Sequence, residues 1–222
     1  MRNLFLVMCL LVSGCNYSYD ISNRGSDIVT PNPLVVPDVV EIYTGEMSPI
    51  IRVRSMESVS AHRVLYGSGT GFVLQHKDRK FIVTAHHVVS SGVAYDFLTM
   101  DKKPLKVKIV NIIEMPLLDI TMFEISEISG KCIPLHLGRY IQGGRVTAMG
   151  FPQDGDYSER SGVNIRSRIE STVDVDLGMS GGPVLDLNGD VIGVISEKVL
   201  SAGKLKSVFS KLDEAVYRLD NK

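Results

Sequence analysis

The sequence is poor in cysteine. Of its 222 residues only Cys9, Cys15 and Cys132 are cysteines, and two of them fall in the first fifteen positions. If that opening segment is cut away or modified, Cys132 alone remains and an intramolecular disulfide is excluded. The fold then rests on its apolar core, with Cys132 read as a small buried residue of that core. An excess of charge of one sign is also missing. A formal net charge of −1 gives a nucleic-acid partner no electrostatic support, and no block of like charges marks an acidic or basic tail. Nothing repeats at a fixed period, which excludes a solenoid. The apolar run from Leu4 to Val12 is too short to span a bilayer. One further absence matters for chemistry: no histidine follows Ser180.

What is present begins with that apolar run. "MRNLFLVMCLLVSGC" places Arg2 before it and small residues after it, the pattern of a secretory signal. Its ending, Val12, Ser13, Gly14 and Cys15, resembles a bacterial lipobox. The resemblance implies cleavage before Cys15 and acylation of that cysteine, where several acyl chains give a stable anchor. An ordinary signal peptide with an incidental cysteine is the alternative. Asn16 follows Cys15, not the aspartate associated with inner-membrane retention, which points to the outer membrane in a Gram-negative host. The expected organisation is a signal peptide over 1–14, a lipidated cysteine and flexible tether over 15–38, and a folded domain over 39–222. The tether, "NYSYDISNRGSDIVTPNPLVVPD" after the cysteine, is polar and carries three prolines.

From about Val39 the chain reads as short strands rich in Val, Ile, Phe and Thr, separated by Gly, Asp, Asn and Pro. Expected strands are 50–55, 69–75, 80–85, 105–113, 120–125, 145–150, 163–175 (as two), 182–187 and 191–196. Asn188-Gly189 suits a two-residue hairpin turn with positive φ at both residues. Only the end reads as helix: Phe209, Leu212, Val216 and Leu219 recur at spacings of three and four. The class is all-β with a terminal helix, which favours barrels or sandwiches.

Ser180 stands among Gly178, Gly181 and Gly182 in "DLGMSGGPVLDLNGD". Serine is a weak nucleophile unless a base lies within reach and a third group orients that base. "GMSGG" also satisfies the G-x-S-x-G elbow of α/β-hydrolases, but that fold needs a histidine after the serine. The five histidines, His62, His76, His86, His87 and His136, all precede Ser180. The order His, Asp, Ser remains. "KFIVTAHHVVS" supplies His86 and His87, and "LLDITMFEI" supplies Asp119 at the mouth of a strand. Its flanking Leu117 and Leu118 suggest a carboxylate buried beside an imidazole. The other reading of Asp119 is an aspartate bonding its own backbone at a strand start. The glycines near Ser180 have two readings as well: amide donors to a developing oxyanion, or a loop that needs positive φ.

These stretches resemble the chymotrypsin-like serine peptidases, particularly the bacterial branch that includes the HtrA proteases. They are similar to that family's T-A-x-H, D-I-A-L-type and G-x-S-G-G-P motifs. "GSGTGFVL" (67–74) resembles a first-barrel strand and "AMGFP" a second-barrel segment, so the likeness covers roughly residues 45–220. It implies two six-stranded antiparallel β-barrels, barrel 1 at about 45–125 and barrel 2 at about 130–208, with a C-terminal helix at about 208–220. It also implies a triad of His87, Asp119 and Ser180, with His87 the fourth residue of T-A-x-H and His86 at the variable position. The oxyanion donors would be the N–H groups of Gly178 and Ser180. Ser196 would begin the substrate-pairing strand, and Asp174, six residues before Ser180, occupies the offset of an acidic specificity-pocket base. Asp174 and Asp176 also alternate with Val173, Val175 and Leu177, as solvent-facing strand residues do. Glu197 and Lys198 follow Ser196 where many relatives carry a small residue, which suggests a restricted cleft.

Two departures stand out. Met179 precedes the serine where zymogen-activated trypsins have an aspartate, so activation by an inserted N-terminus is not expected. About 40 residues follow Ser180, and a PDZ domain is not expected. The reading is a lipid-anchored, extracytoplasmic bacterial serine endopeptidase acting on protein or peptide substrates. It implies no cofactor, no metal and no nucleic acid. A catalytically inactive binding module of the same fold and an esterase using the same site are the alternatives.

Overall fold

The computed structural model describes residues 42–60, 63–153, 155–164, 170–201 and 204–221. The expected signal peptide, Cys15, the tether and His62 lie outside the described residues. No helix among the described residues is long and apolar enough to cross a membrane.

Two antiparallel sheets make up the fold. The first contains β1 (Ile50–Ser60), β2 (Arg63–His76), β3 (Arg79–Thr84), β4 (Ala94–Leu98), β5 (Pro104–Leu105), β6 (Val107–Met115) and β7 (Ile120–Ile128), in the order β5-β4-β1-β2-β3-β7-β6. The second contains β8 (Arg145–Gly150), β9 (Ser158–Val163), β10 (Glu170–Ser171), β11 (Pro183–Leu185), β12 (Val191–Ser201) and β13 (Lys204–Lys211), in the order β10-β13-β12-β11-β8-β9. The expectation of six strands in each is met in the second sheet. The first has seven, the additional one being the two-residue β5, which pairs Leu105 with Phe97.

The strands follow from alternation. In β1, Ile51, Val53 and Ser55 are buried while Arg52, half-buried, and Arg54, exposed, lie on the opposite face. β8 alternates likewise, burying Val146, Ala148 and Gly150. Three apolar clusters result. One fills the first sheet around Ile51, Val53, Ile82 and Phe123. Another fills the second around Val146, Val184, Ile192 and Phe209. The largest lies between the sheets, where Phe72, Phe81 and Met122 meet Phe151, Val191 and Val194. The α2 helix (Leu212–Asp220) closes that interface with Leu212, Ala215 and Val216.

Two local expectations change. The terminal helix begins at Leu212, not near 208, because Phe209 pairs with Ile195 and β13 continues to Lys211. The Phe209 spacing that mimics a helix is the end of a strand followed by the start of α2. At Asn188-Gly189 only Gly189 has positive φ, at +84°. The turn is closed by the Asp186 carboxylate, which accepts from the N–H groups of Asn188 (2.8 Å) and Asp190 (3.1 Å). That side-chain capping replaces the double-positive turn.

Candidate active site

The site forms where the end of β3, the start of β7 and the loop before β11 converge. β3 stops at Thr84, and Ala85 is extended (φ −70°, ψ 142°). The chain then makes one helical turn, α1 (His86–Val89), because Val88 and Val89 drop into the first core. That turn leaves His86 and His87 on its outer side. His87 is directed at Asp119: its Nδ1 lies 2.8 Å from Oδ2 and 3.1 Å from Oδ1, and its backbone N–H donates to Oδ1 at 2.9 Å. The ring of His86 turns elsewhere, with Nδ1 3.0 Å from Thr121 Oγ1.

Asp119 reaches this position through a backbone conformation few residues accept. A 3-10 turn over Pro116–Leu118 ends in Asp119 at φ +50°, ψ 43°, the left-handed region that aspartate tolerates better than most. Its carboxylate serves His87, not its own backbone. Leu117 does not shield it, as its side chain is 92% exposed; the turn that places Asp119 points Leu117 to solvent. Burial pushes the Asp119 carboxyl up, but the hydrogen bonds and charge of His87 and a hydrogen bond from Ser196 outweigh it and hold it below its ordinary value. An ionised carboxylate only accepts, so His87 Nδ1 carries the proton facing it, and in the neutral ring Nε2 is then the acceptor.

The resemblance implies a place for Ser196 on the substrate-pairing strand; the structure adds a contact with Asp119. Its Oγ donates to Asp119 Oδ2 at 2.5 Å. The β12–β13 register shifts between Ile195 and Glu197. This bulge takes Ser196 out of the ladder and re-aims its side chain. The hydroxyl closing the apolar run "VIGVIS" is the one signal the sequence offers.

Ser180 is partly exposed, and its Oγ donates to Ser196 O over a long 3.4 Å. The loop around it is held by backbone. Gln153 N–H donates to Leu177 O at 2.5 Å, and Gly182 N–H donates to Met179 O at 2.9 Å. In a trans peptide the N–H points opposite to the C=O. The Gly178 N–H is therefore turned away from Gln153, and the Ser180 N–H away from Gly182. Gly178 and Gly181 have φ of +90° and +87°. A Cβ on Gly181 would collide with Thr70 O and Thr84 Oγ1, so this glycine answers both to backbone conformation and to close approach. Met179 is fully buried in the second-sheet core, and an apolar anchor occupies that position.

Residues 69–194 match the family described as a trypsin-like peptidase domain. The chain belongs to this family. His87, Asp119, Asp174, Gly178 and Ser180 of the peptidase domain fall inside the match, and Ser196 lies two positions beyond it. The chain is similar to a probable periplasmic serine endoprotease, DegP-like, of Brucella suis biovar 1, at 31% identity over 147 residues, covering 60% of this chain and 28% of that protein. It is similar to one so named from Hahella chejuensis, at 27% over 156 residues, 64% of this chain and 32% of that protein. The serine protease Rv3671c of Mycobacterium tuberculosis is 26% identical over 212 residues, 83% of this chain and 51% of that protein. The chain thus spans about a third of the length of the first relatives and about half of the last. The crystal structure of the Rv3671c protease, active form, superposes with a TM-score of 0.61 at 19% identity, covering 86% of this chain and 93% of that one. This shows a shared fold.

The other candidates lie apart from the His87–Asp119 pair. Asp174 is exposed between buried Val173 and Val175, so its side chain leaves the core. Asp176 pairs with Arg160 at 3.2 Å. His76 Nε2 meets Asp220 at 3.1 Å and ties β2 to α2, while His136 is exposed. Cys132 is half-buried, and burial pushes its thiol up. A cleft of about 320 Å³ opens beside Gly178, lined among others by Arg52, Arg54, Lys102 and Phe151.

Proposed function

We propose that the protein is a serine endopeptidase that cleaves polypeptides through His87, Asp119 and Ser180. The observation that carries this reading is the His87 Nδ1 contact with Asp119 Oδ2 at 2.8 Å, in a trypsin-like peptidase domain whose Ser180 stands on a glycine loop. Relatives named serine endoproteases support the activity.

In this mechanism Ser180 Oγ leaves the Ser196 carbonyl and gives its proton to His87 Nε2 as it attacks the substrate carbonyl carbon. Asp119 holds the tautomer with Nδ1 protonated and stabilises the imidazolium that forms. The carbonyl oxygen becomes an anion, met by the N–H groups of Gly178 and Ser180. His87 then returns the proton to the leaving amine, the C–N bond breaks, and an acyl-enzyme on Ser180 remains. Water, deprotonated by His87, attacks the ester and releases the acid, and Ser180 regains its proton. Ser196 steadies Asp119 and, at the bulge in the middle of β12, opens the segment that pairs with substrate. Asp174 as a pocket base for Lys or Arg is the weaker part of this reading, given its exposure.

Relatives named periplasmic support a location outside the cytoplasm. The signal over 1–14, acylation of Cys15 and the tether to residue 38 complete the proposal, with the peptidase domain held near a membrane surface.

The test is cleavage of an unfolded protein such as reduced casein, read by mass spectrometry, with Ser180→Ala as control. Wild type should generate new peptide termini and the variant none. Hydrolysis of activated esters without any peptide cleavage would favour the esterase reading. A folded wild type inert to both would leave a binding module.

A further inference from the structure

Thr70 lies in β2 between Gly69 and Gly71 and is completely buried. Four of its hydrogen bonds reach segments that build the site. Its Oγ1 donates to Gly178 O at 2.9 Å and accepts from Phe151 N–H at 3.0 Å. Its own N–H donates to Ser180 O at 2.8 Å. Its carbonyl accepts from Thr84 Oγ1 at 2.7 Å, at the strand end that leads into His87. A residue of the first sheet thereby grips the nucleophile loop on both sides of Met179.

A hydroxyl has one proton to give. With Phe151 N–H on one of its lone pairs, the Thr70 Oγ1 proton is committed to Gly178 O. That bond, together with Met179 N–H on Asp176 O at 3.1 Å, orients the peptide plane after Gly178, and Gln153 N–H on Leu177 O orients the plane before it. Between the two planes sits a glycine at φ +90°. Glycine populates left- and right-handed regions about equally, so without these bonds the Gly178 N–H has no fixed direction. The approach that permits the grip is itself tight. A Cβ on Gly69 would come within 2.8 Å of Ser180 O and of a Val88 methyl.

We propose that Thr70 is a positioning residue for the oxyanion site: its hydroxyl locks the Gly178–Met179 peptide plane and thereby holds the Gly178 backbone in the conformation that aims the Gly178 N–H, on the preceding plane, at the reacting carbonyl oxygen. This rests on the peptidase reading above. Thr70 touches neither substrate nor the reacting atoms and acts through Gly178.

The experiment compares wild type with Thr70→Val, Thr70→Ser and Thr70→Cys on a chromogenic peptide substrate. Rates are expressed per active site, counted from the endpoint of fluorophosphonate labelling. Valine keeps the shape and leaves Gly178 O and Phe151 N–H without a partner. Full loss of one oxyanion donor costs about 10²–10³ in kcat, and Thr70→Val should approach the lower end, about 10²-fold, with KM little changed. Thr70→Ser should restore kcat to within a few-fold. A merely structural role would reduce the melting temperature and the number of labelled sites but leave kcat per site unchanged, and that result overturns the proposal. If Thr70→Val does not fold, serine against cysteine decides. The thiol is a weak donor, so kcat should fall in the cysteine variant, and equal kcat in the two overturns the proposal. A folded wild type that takes no label overturns the peptidase reading itself, and the role of Thr70 falls with it.

Discussion

His87 Nδ1 stands 2.8 Å from Asp119 Oδ2, and the His87 backbone N–H donates to Oδ1 of the same carboxylate at 2.9 Å. Ring and main chain are thus fixed to one acceptor, which leaves the ring little freedom to rotate. Substituting Asp119 by Asn presents an amide to Nδ1 and favours the opposite tautomer, with the Nε2 proton facing Ser180. The expected loss in kcat is about 10⁴-fold, as for the corresponding change in the Ser-His-Asp template. Steady-state kinetics at neutral pH check this, with thermal unfolding to show that the variant is folded.

The same carboxylate should be visible in acid stability. Its folded pKa is held below its ordinary value, so it binds fewer protons folded than unfolded. Its contribution is present above the unfolded value of about 3.9 and is lost as pH falls through the lower folded value. Unfolding midpoints measured downward from pH 5 should therefore drop more steeply for wild type than for Asp119→Asn. Parallel curves would contradict this.

Met179 is a second anchor of the nucleophile loop. It is fully buried among Val146, Val175 and Val184, where an apolar side chain stabilises by packing and needs no charged partner. Met179→Ala should cost about 2–5 kcal/mol of stability, measured by chemical denaturation. Activity should appear without any N-terminal cleavage beyond removal of the signal segment over 1–14. A requirement for such cleavage would contradict the apolar-anchor account.

Arg52 supports the loop from the side of Gln153. Its Nη2 donates to Gly155 O at 2.7 Å, and its guanidinium lies 4.0 Å from the centroid of the Phe151 ring. Removing it loosens the segment whose Gln153 N–H holds Leu177 O. Arg52→Ala should lower kcat by up to about 10²-fold, the scale of a small misplacement of catalytic groups. Arg52→Lys should not restore it, because lysine lacks the planar fork that bonds and stacks together.

Anchoring has its own test. Cys15→Ser should move the protein from the membrane fraction to the soluble fraction of the producing cell. Unchanged membrane retention would count against acylation at Cys15.

Much of the fold is legible because alternation and turn residues are local signals. The strand expected over 145–150 coincides with β8, and that over 120–125 lies within β7. β13 is not legible, since Phe209 and Leu212 share a helical spacing across a strand–helix boundary that only the Ile195 pairing settles. The His87, Asp119 and Ser180 candidates could be named because each sits in a short motif. The contacts that support them could not. Thr70 reaches partners 81 and 108 positions away, and Ser196 meets Asp119 only because a bulge turns it. Leu117 misleads in the other direction, since apolar character next to a key residue does not reveal whether a 3-10 turn will expose it.

The most direct measurement of the central claim is labelling by a fluorophosphonate probe with mass-spectrometric mapping of the modified residue. The account predicts that folded wild type is labelled at Ser180, that Ser180→Ala takes no label, and that His87→Ala is labelled far more slowly. A folded wild type that stays unlabelled, or a label carried equally by Ser180→Ala, would contradict it.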